Sequence, residues 1–124
     1  MAVATTEVTG RTTDIPGLLI FDVTKIEDER GYYQETFQKA KLVAAGLPES
    51  FSPVQTSVSY NKSVGVTRGF HAEPWDKYIS IVKGKAFAAY VDLRKGESFG
   101  PAAPGPIRAG ASAGAHGGGG RRLP

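Results

Sequence analysis

The residues best suited to chemistry lie in one short segment, residues 65–71 (Gly-Val-Thr-Arg-Gly-Phe-His), which is followed closely by Trp75 and Lys77. An imidazole side chain such as that of His71 can act as a proton acceptor. The Lys77 ammonium can stabilise negative charge that develops on a nearby oxygen. Proton removal next to a ketone needs such a base and such a cation, with an acid on the opposite face to return the proton. In the alternative interpretation, His71 is a turn residue that forms ordinary hydrogen bonds and Lys77 is a solvated surface charge.

Four segments occur in an order and approximate spacing that are typical of one enzyme family. They are residues 28–37 (Asp-Glu-Arg-Gly-Tyr-Tyr-Gln-Glu-Thr-Phe), 53–55 (Pro-Val-Gln), 65–71 and 91–94 (Val-Asp-Leu-Arg). Together they resemble the N-terminal half of the dTDP-4-dehydrorhamnose 3,5-epimerases, which are cupin-like jelly-roll enzymes of deoxysugar biosynthesis. The resemblance extends from about Ile15 to Gly100, and its most specific part is the Val-x-Arg-Gly-x-His pattern that ends at His71.

The resemblance implies an isomerase that epimerises a dTDP-4-keto-6-deoxyhexose in dTDP-rhamnose biosynthesis, with no cofactor. It matches His71 to the family's proton acceptor and Lys77 to the lysine near the C4 oxygen. The positions that match contacts to the nucleotide sugar are Arg30, Glu35, Gln55 and Arg68. Guanidinium groups suit a diphosphate because they form paired, charge-assisted hydrogen bonds. The family's opposite-face tyrosine has no counterpart here, and Thr56 and Ser57 stand where the family commonly has Asp and Asn.

Other interpretations of these residues stay open at this point. No Tyr follows Gly100, so the chain can also be an inactive, truncated remnant that binds nucleotide sugar or only packs with a partner. Arg30 and Glu35 can form a cross-strand ion pair. A single-strand nucleic-acid binder built from Trp75, Tyr78 and the lysines is disfavoured, because residues 1–100 carry 12 basic and 12 acidic side chains and so show no basic excess. We therefore expect no nucleic-acid partner.

Composition excludes several other classes of protein. The 124 residues are enough for one core without disulfides, and the absence of Cys excludes thiol chemistry and cysteine-ligated metal. His71 has no second His nearby, so we expect no metal site. The apolar stretches are far shorter than the roughly 20 residues that cross a bilayer. The N-terminus also lacks a signal pattern, so we expect a cytoplasmic protein with no membrane partner.

The predicted elements that position these residues are mostly strands. Strands are expected over residues 18–23, 32–37, 54–60, 64–70, 78–82 and 86–93, with turns at 27–31 and 83–85. One short helix is expected over residues 38–45, ended by Gly46 and Pro48. This order favours an all-β, antiparallel jelly-roll sandwich of which the chain holds only part. The resemblance further implies a homodimer.

The composition changes abruptly after Gly100. Of the 24 residues from 101 to 124, seven are Gly, six Ala, four Pro and three Arg. Such a segment buries too little apolar surface to offset the entropy of ordering it, so we expect a disordered tail over 101–124 after an epimerase-like portion over 1–100. The composition is typical of a low-complexity linker and equally of a GC-rich gene read out of frame.

Overall fold

The computed structural model describes residues 7–94 together with the backbone of residues 100–108 and 111–115. Its elements, in chain order, are β1 (Val8–Thr12), β2 (Leu18–Val23), β3 (Ile26–Asp28), β4 (Gly31–Tyr33), α1 (Lys39–Ala44), β5 (Lys77–Ser80), β6 (Lys85–Asp92), β7 (Gly100–Arg108) and β8 (Ala111–Ala115). One sheet has four strands in the order β1-β2-β8-β5, and two further sheets pair β3 with β4 and β6 with β7. All the pairings are antiparallel, so the expected strand-dominated architecture is confirmed.

The strand β2 is an inner strand of the four-stranded sheet and confirms the strand expected at residues 18–23. It is paired on both edges, with β1 on one side and β8 on the other. Four of its six side chains are buried, namely Leu18, Ile20, Phe21 and Val23. Phe21 packs with Leu42 and Leu47 in the main hydrophobic cluster. Burial of these apolar side chains is the main term that stabilises the sheet against unfolding.

The helix α1 confirms the helix expected at residues 38–45. Gln38 caps its first turn, because the side-chain oxygen accepts a hydrogen bond from the Lys41 backbone N–H at 3.0 Å. Gly46 ends it with φ of +119°, a conformation that glycine adopts without strain. The helix contributes Leu42, which is almost fully buried, to the cluster around Phe21.

The hairpin near residue 30 is shorter than expected. The strand expected over 32–37 ends at Tyr33, and the ladder joins β4 to β3 and not to the strand at 18–23. The Asp28 carboxylate accepts a hydrogen bond from the Arg30 backbone N–H at 2.9 Å, which closes a tight turn. After β4, the Gln34 amide donates to the Val23 carbonyl at 2.8 Å and fastens this part of the chain to β2.

The prediction of strands over residues 54–60 and 64–70 is wrong, because residues 51–76 form neither strand nor helix. Alternation alone does not make a strand, since every strand needs a neighbour to accept and donate its backbone hydrogen bonds. The strands β5 and β6 form close to the expected positions, but the expected hairpin between them does not. Gly84, at φ of +84°, lies between them, and the chain passes from the four-stranded sheet to the two-stranded one.

Strands also occupy part of the segment expected to be disordered. β7 pairs with β6 from Asp92 opposite Gly100 to Lys85 opposite Arg108, and β8 lies between β2 and β5. Strand pairing uses backbone groups, which Gly and Ala supply as well as larger residues do. The prolines of β7 are compatible with its position at the edge of a two-stranded sheet. Residues 109–110 and 116–124 of the expected tail lie outside the described residues.

Candidate functional site

The six candidate residues lie on three parts of the fold. Arg30 is in the turn between β3 and β4, and Glu35 follows β4 by two residues. Lys77 is the first residue of β5. The other three belong to residues 52–75, in which every residue is exposed and which we call the exposed segment; they are Gln55, Arg68 and His71.

Arg30 is held by the turn residue Asp28. Its guanidinium contacts the Asp28 carboxylate through Nη2 at 2.5 Å and through Nε at 3.1 Å. This contact lowers the pKa of Asp28 below its usual range and raises the pKa of Arg30. The Arg30 side chain is 86% exposed, so its orientation is set by Asp28 while its surface faces solvent. Such a guanidinium can bind an anion through paired hydrogen bonds.

Glu35 is tied to the helix α1. The Lys41 ammonium donates to its carboxylate at 2.9 Å, and both side chains are about two-thirds or more buried. An ion pair at this depth is less screened by salt than one at the surface. Arg30 and Glu35 therefore each have a different ionic partner, Asp28 for the former and Lys41 for the latter.

The contacts of Gln55 and Arg68 are local to the exposed segment. Gln55 donates to the Ser57 hydroxyl at 3.3 Å. Arg68 donates to the Asn61 side-chain oxygen at 2.8 Å and to the Tyr60 carbonyl at 3.0 Å. His71 is exposed in the same segment. The sequence-predicted base thus lies on a part of the chain that is accessible to solutes.

Lys77 forms an ion pair with Glu73, four residues earlier. The next residue, Tyr78, fixes the start of β5 through its ring and its hydroxyl. The ring lies 5.3 Å from that of Phe37 in an edge-on arrangement, and 6.3 Å from that of Phe21. The hydroxyl donates to the Thr36 carbonyl at 2.5 Å. The backbone at Lys77 is therefore well anchored to the core beside it.

Glu35 is thus fixed by α1, and Lys77 is fixed by its place in β5. The other three of these residues, Gln55, Arg68 and His71, lie on the exposed segment. The two ionic partners, Lys41 and Glu73, were missed by sequence reasoning. Glu73 stands four residues before Lys77, so its acid-base spacing was a usable signal. Lys41 was recognisable only as a basic residue in a predicted helix. Tyr78 packs in the core, while Trp75 is 61% exposed.

Among the described residues, no cluster of three or more His, Asp or Glu side chains is arranged to hold a metal ion. In the same part of the chain, no helix has the length and apolar character needed to cross a membrane.

Comparison with known proteins gives a consistent result. The family model for dTDP-4-dehydrorhamnose 3,5-epimerase matches residues 12–103. The Protein RmlC homolog of Streptococcus pyogenes is 50% identical over 91 residues, which are 70% of this chain and 46% of that protein. The dTDP-4-dehydrorhamnose 3,5-epimerase of Methanothermobacter thermautotrophicus is 36% identical over 86 residues, which are 67% of this chain and 45% of that protein.

A solved structure is similar in fold as well as in sequence. RmlC from Streptococcus suis in complex with dTDP-D-xylose matches with a TM-score of 0.79 and 42% identity, covering 86% of this chain and 57% of that one. The family model and these relatives place the chain within a family of dTDP-sugar isomerases. The chain belongs to the dTDP-4-dehydrorhamnose 3,5-epimerase family, as the sequence predicted. It spans about half the length of the curated relatives that it matches.

Proposed function

We propose that this chain supplies the proton-abstracting and nucleotide-sugar-binding residues of an isomerase that epimerises a dTDP-4-keto-6-deoxyhexose. The observation that carries the proposal is the family match over residues 12–103, which contains all six candidate residues. The similar Streptococcus suis protein, in complex with dTDP-D-xylose, supports a dTDP-sugar as the ligand class. The step is a proton transfer next to a ketone.

His71 is the proposed base. A neutral imidazole accepts the C3 or C5 proton, and the electron pair moves toward the C4 oxygen to give an enolate. The exposure of His71 leaves its ring accessible to a substrate. Return of a proton to the opposite face inverts the carbon, and the acid for that step has no assigned residue in this chain.

Lys77 is the proposed partner of the C4 oxygen. An ammonium group close to this oxygen stabilises the enolate more than the ketone, because the negative charge develops during the reaction. In the structure this ammonium is paired with Glu73. To contact the sugar oxygen, the Lys77 ammonium therefore either keeps its contact with the Glu73 carboxylate and adds a second one, or gives up the contact with Glu73.

Arg30, Glu35, Gln55 and Arg68 are the proposed contacts to the nucleotide sugar. The two guanidinium groups suit the diphosphate, since each presents several N–H donors in one plane. The Glu35 carboxylate can accept hydrogen bonds from neutral parts of the ligand, and the Gln55 amide can both accept and donate them. The contact with Lys41 holds the Glu35 carboxylate in one orientation. A carboxylate that is already ordered loses less conformational entropy when the ligand binds.

The proposal extends to assembly and architecture. A cupin-like jelly roll, a homodimer and a cytoplasmic location are the family-based expectations that go with this function. Size-exclusion chromatography with light scattering tests the dimer, for which twice the chain mass of 13.1 kDa is expected. Elution at the single-chain mass at all concentrations would contradict it.

The activity is tested by proton NMR of dTDP-4-keto-6-deoxyglucose in deuterated water with the purified chain. Deuterium at C3 or C5 is expected with the unmodified chain and with His116→Ala, and its loss is expected with His71→Ala and Lys77→Ala. His116 is the matched control because it is the other of the two histidines. Equal exchange with His71→Ala would remove the assigned base.

A second candidate function is nucleotide-sugar binding without turnover. It is favoured by the place of His71 within residues 51–76, which form neither strand nor helix, because proton abstraction needs a base that is held in a fixed geometry. A sample with dispersed NMR signals that binds dTDP-D-xylose in calorimetry, but gives no deuterium exchange, would select this function over the first.

A further inference from the structure

Glu73 connects the two residues proposed to act on the substrate's ketone. It stands two residues after His71 in the sequence, and its carboxylate contacts the Lys77 ammonium. The proposed base lies on the exposed segment, whereas Lys77 is the first residue of β5. The ion pair therefore ties the part of the chain that carries the base to the sheet that carries the cation.

The chain between Glu73 and Lys77 favours their contact. Pro74 fixes its own φ and biases the residue before it, Glu73, toward an extended backbone. The chain then bends at Pro74 and Trp75. Lys77 is held beyond the bend by its pairing with Ala115 of β8. Because the backbone is restrained on both sides of the bend, the carboxylate and the ammonium meet without ordering a long loop.

The pair is only partly open to water. The Lys77 side chain is 38% exposed and the Glu73 side chain is 34% exposed, so salt screens this pair less than one that is fully at the surface. An ammonium has several N–H donors, and one that contacts Glu73 keeps others for a ligand oxygen. Lysine has a long, flexible side chain. A contact that already fixes it reduces the entropy that is lost when the ligand binds.

We propose that Glu73 is a positioning residue, which holds the Lys77 ammonium where it meets the C4 oxygen as the enolate forms. The inference rests on the proposed function, because Lys77 has an oxyanion to stabilise only if a proton is removed next to the ketone. Glu73 itself exchanges no proton with the substrate. Its effect is therefore on the rate of proton transfer and not on nucleotide-sugar binding, for which Arg30 and Arg68 are the proposed charged contacts.

The activity test compares Glu73→Gln with Glu49→Gln, which makes the same change at an exposed carboxylate outside the site. For deuterium exchange into dTDP-4-keto-6-deoxyglucose, Glu73→Gln is expected to lower kcat about tenfold and to change KM less than about twofold. Glu49→Gln is expected to match the unmodified chain. Calorimetry with dTDP-D-xylose gives the fraction of binding-competent chains in each sample, so kcat is expressed per competent chain and partial unfolding does not imitate the effect.

A second measurement does not require activity. Trp75 is the single tryptophan of the sequence and lies in the bend between Glu73 and Lys77. Loop motions fall in the nanosecond range, so loss of the ion pair in Glu73→Gln is expected to give a faster decay of the Trp75 fluorescence anisotropy. Glu49→Gln is expected to leave this decay unchanged.

Together the two measurements distinguish failure of the positioning role from failure of the proposed function. An unchanged Trp75 decay in Glu73→Gln, or an active chain in which this variant keeps the kcat of the unmodified one, overturns the positioning role alone. A raised KM with an unchanged kcat also overturns it, because Glu73 would then act in substrate binding. A faster Trp75 decay without deuterium exchange in any sample overturns the proposed function, and with it the role of Glu73 in the reaction.

Discussion

The Tyr78 hydroxyl donates a hydrogen bond to the Thr36 backbone carbonyl at 2.5 Å, across 42 residues of sequence. The same ring packs edge-on against Phe37, the residue that follows Thr36. One side chain therefore joins β5 to the connection between β4 and α1. Because Lys77 precedes Tyr78, this contact also fixes the backbone from which the proposed enolate-binding ammonium extends.

Tyr78→Phe is expected to lower the free energy of unfolding by about 1 kcal/mol, since it removes one hydrogen bond and keeps the ring. Urea unfolding followed by circular dichroism measures the change. Tyr60→Phe is the matched control, because the Tyr60 ring is 77% exposed and its substitution should leave stability unchanged. A Tyr78→Phe chain as stable as the unmodified one would show that the hydroxyl contact contributes nothing.

The Asp28 carboxyl offers a direct test of the Arg30 contact. Arg30→Gln is expected to return the pKa of Asp28 upward toward its usual range, because the guanidinium that lowers it is removed. Since the folded-state pKa is lowered, the pair stabilises the folded chain above the unfolded carboxyl pKa, and that effect is lost as the pH falls through the folded-state value.

The pair is exposed, so the measurement is a carbon-13 NMR titration of the Asp28 carboxyl and not an unfolding curve. Arg11→Gln is the control, because Arg11 pairs with Asp22 and not with Asp28. An unmoved Asp28 midpoint in Arg30→Gln would mean that the contact is absent in solution.

Arg94 is expected to matter more for stability than its exposure suggests. It contacts the Asp92 carboxylate at 2.9 and 3.0 Å and donates to the Pro16 carbonyl at 2.6 Å. Asp92 is 5% exposed, so its charge has little water around it. Arg94→Met is expected to cost about 1–3 kcal/mol, because a buried carboxylate loses a charged partner.

Chemical unfolding of Arg94→Met measures this cost, with Arg11→Met as the comparison. Arg11 belongs to an exposed ion pair with Asp22, for which a change of less than about 1 kcal/mol is expected. Similar losses in the two variants would indicate that burial of Asp92 has no influence on the Arg94 contact.

Gly10 of β1 lies against Ala45, the residue that follows α1. A Cβ atom built on Gly10 would overlap the Ala45 carbonyl oxygen. Gly10→Ala is therefore expected to push the helix from the sheet and to cost about 1–3 kcal/mol. Thermal unfolding against Thr9→Ala, an exposed position on the same strand, measures the effect. An unchanged melting temperature in Gly10→Ala would mean that the two elements separate freely.

Local signals predicted those parts of the fold that depend on local residues. The strand at residues 18–23 followed from its apolar run, and the end of α1 followed from Gly46 and Pro48. The pattern at residues 54–60 is as strand-like as that of β2 but forms no strand, because the described part of the chain pairs no strand with it. Periodicity reports what a segment prefers and contains no information on which neighbour is present.

The candidate site shows the same division. Family motifs indicated Arg30, Glu35 and His71 from sequence order alone. The contacts that orient site residues were not predictable in this way, because each joins residues whose proximity depends on the fold: Lys41 with Glu35, and Tyr78 with Thr36. The strands β7 and β8 were themselves not predicted, because a sequence rich in Gly, Ala and Pro has no periodic signal and strand pairing relies on the backbone.

The four-stranded sheet has a practical consequence for how the chain withstands cutting. β8 lies between β2, which precedes the exposed segment, and β5, which follows it. A protease that cleaves after Lys62 breaks no strand of the sheet, and the two pieces remain joined through the β2–β8 ladder. The sheet therefore does not depend on an unbroken chain at Lys62. A tag, a dye or new chain ends at this position are expected to disturb the sheet little.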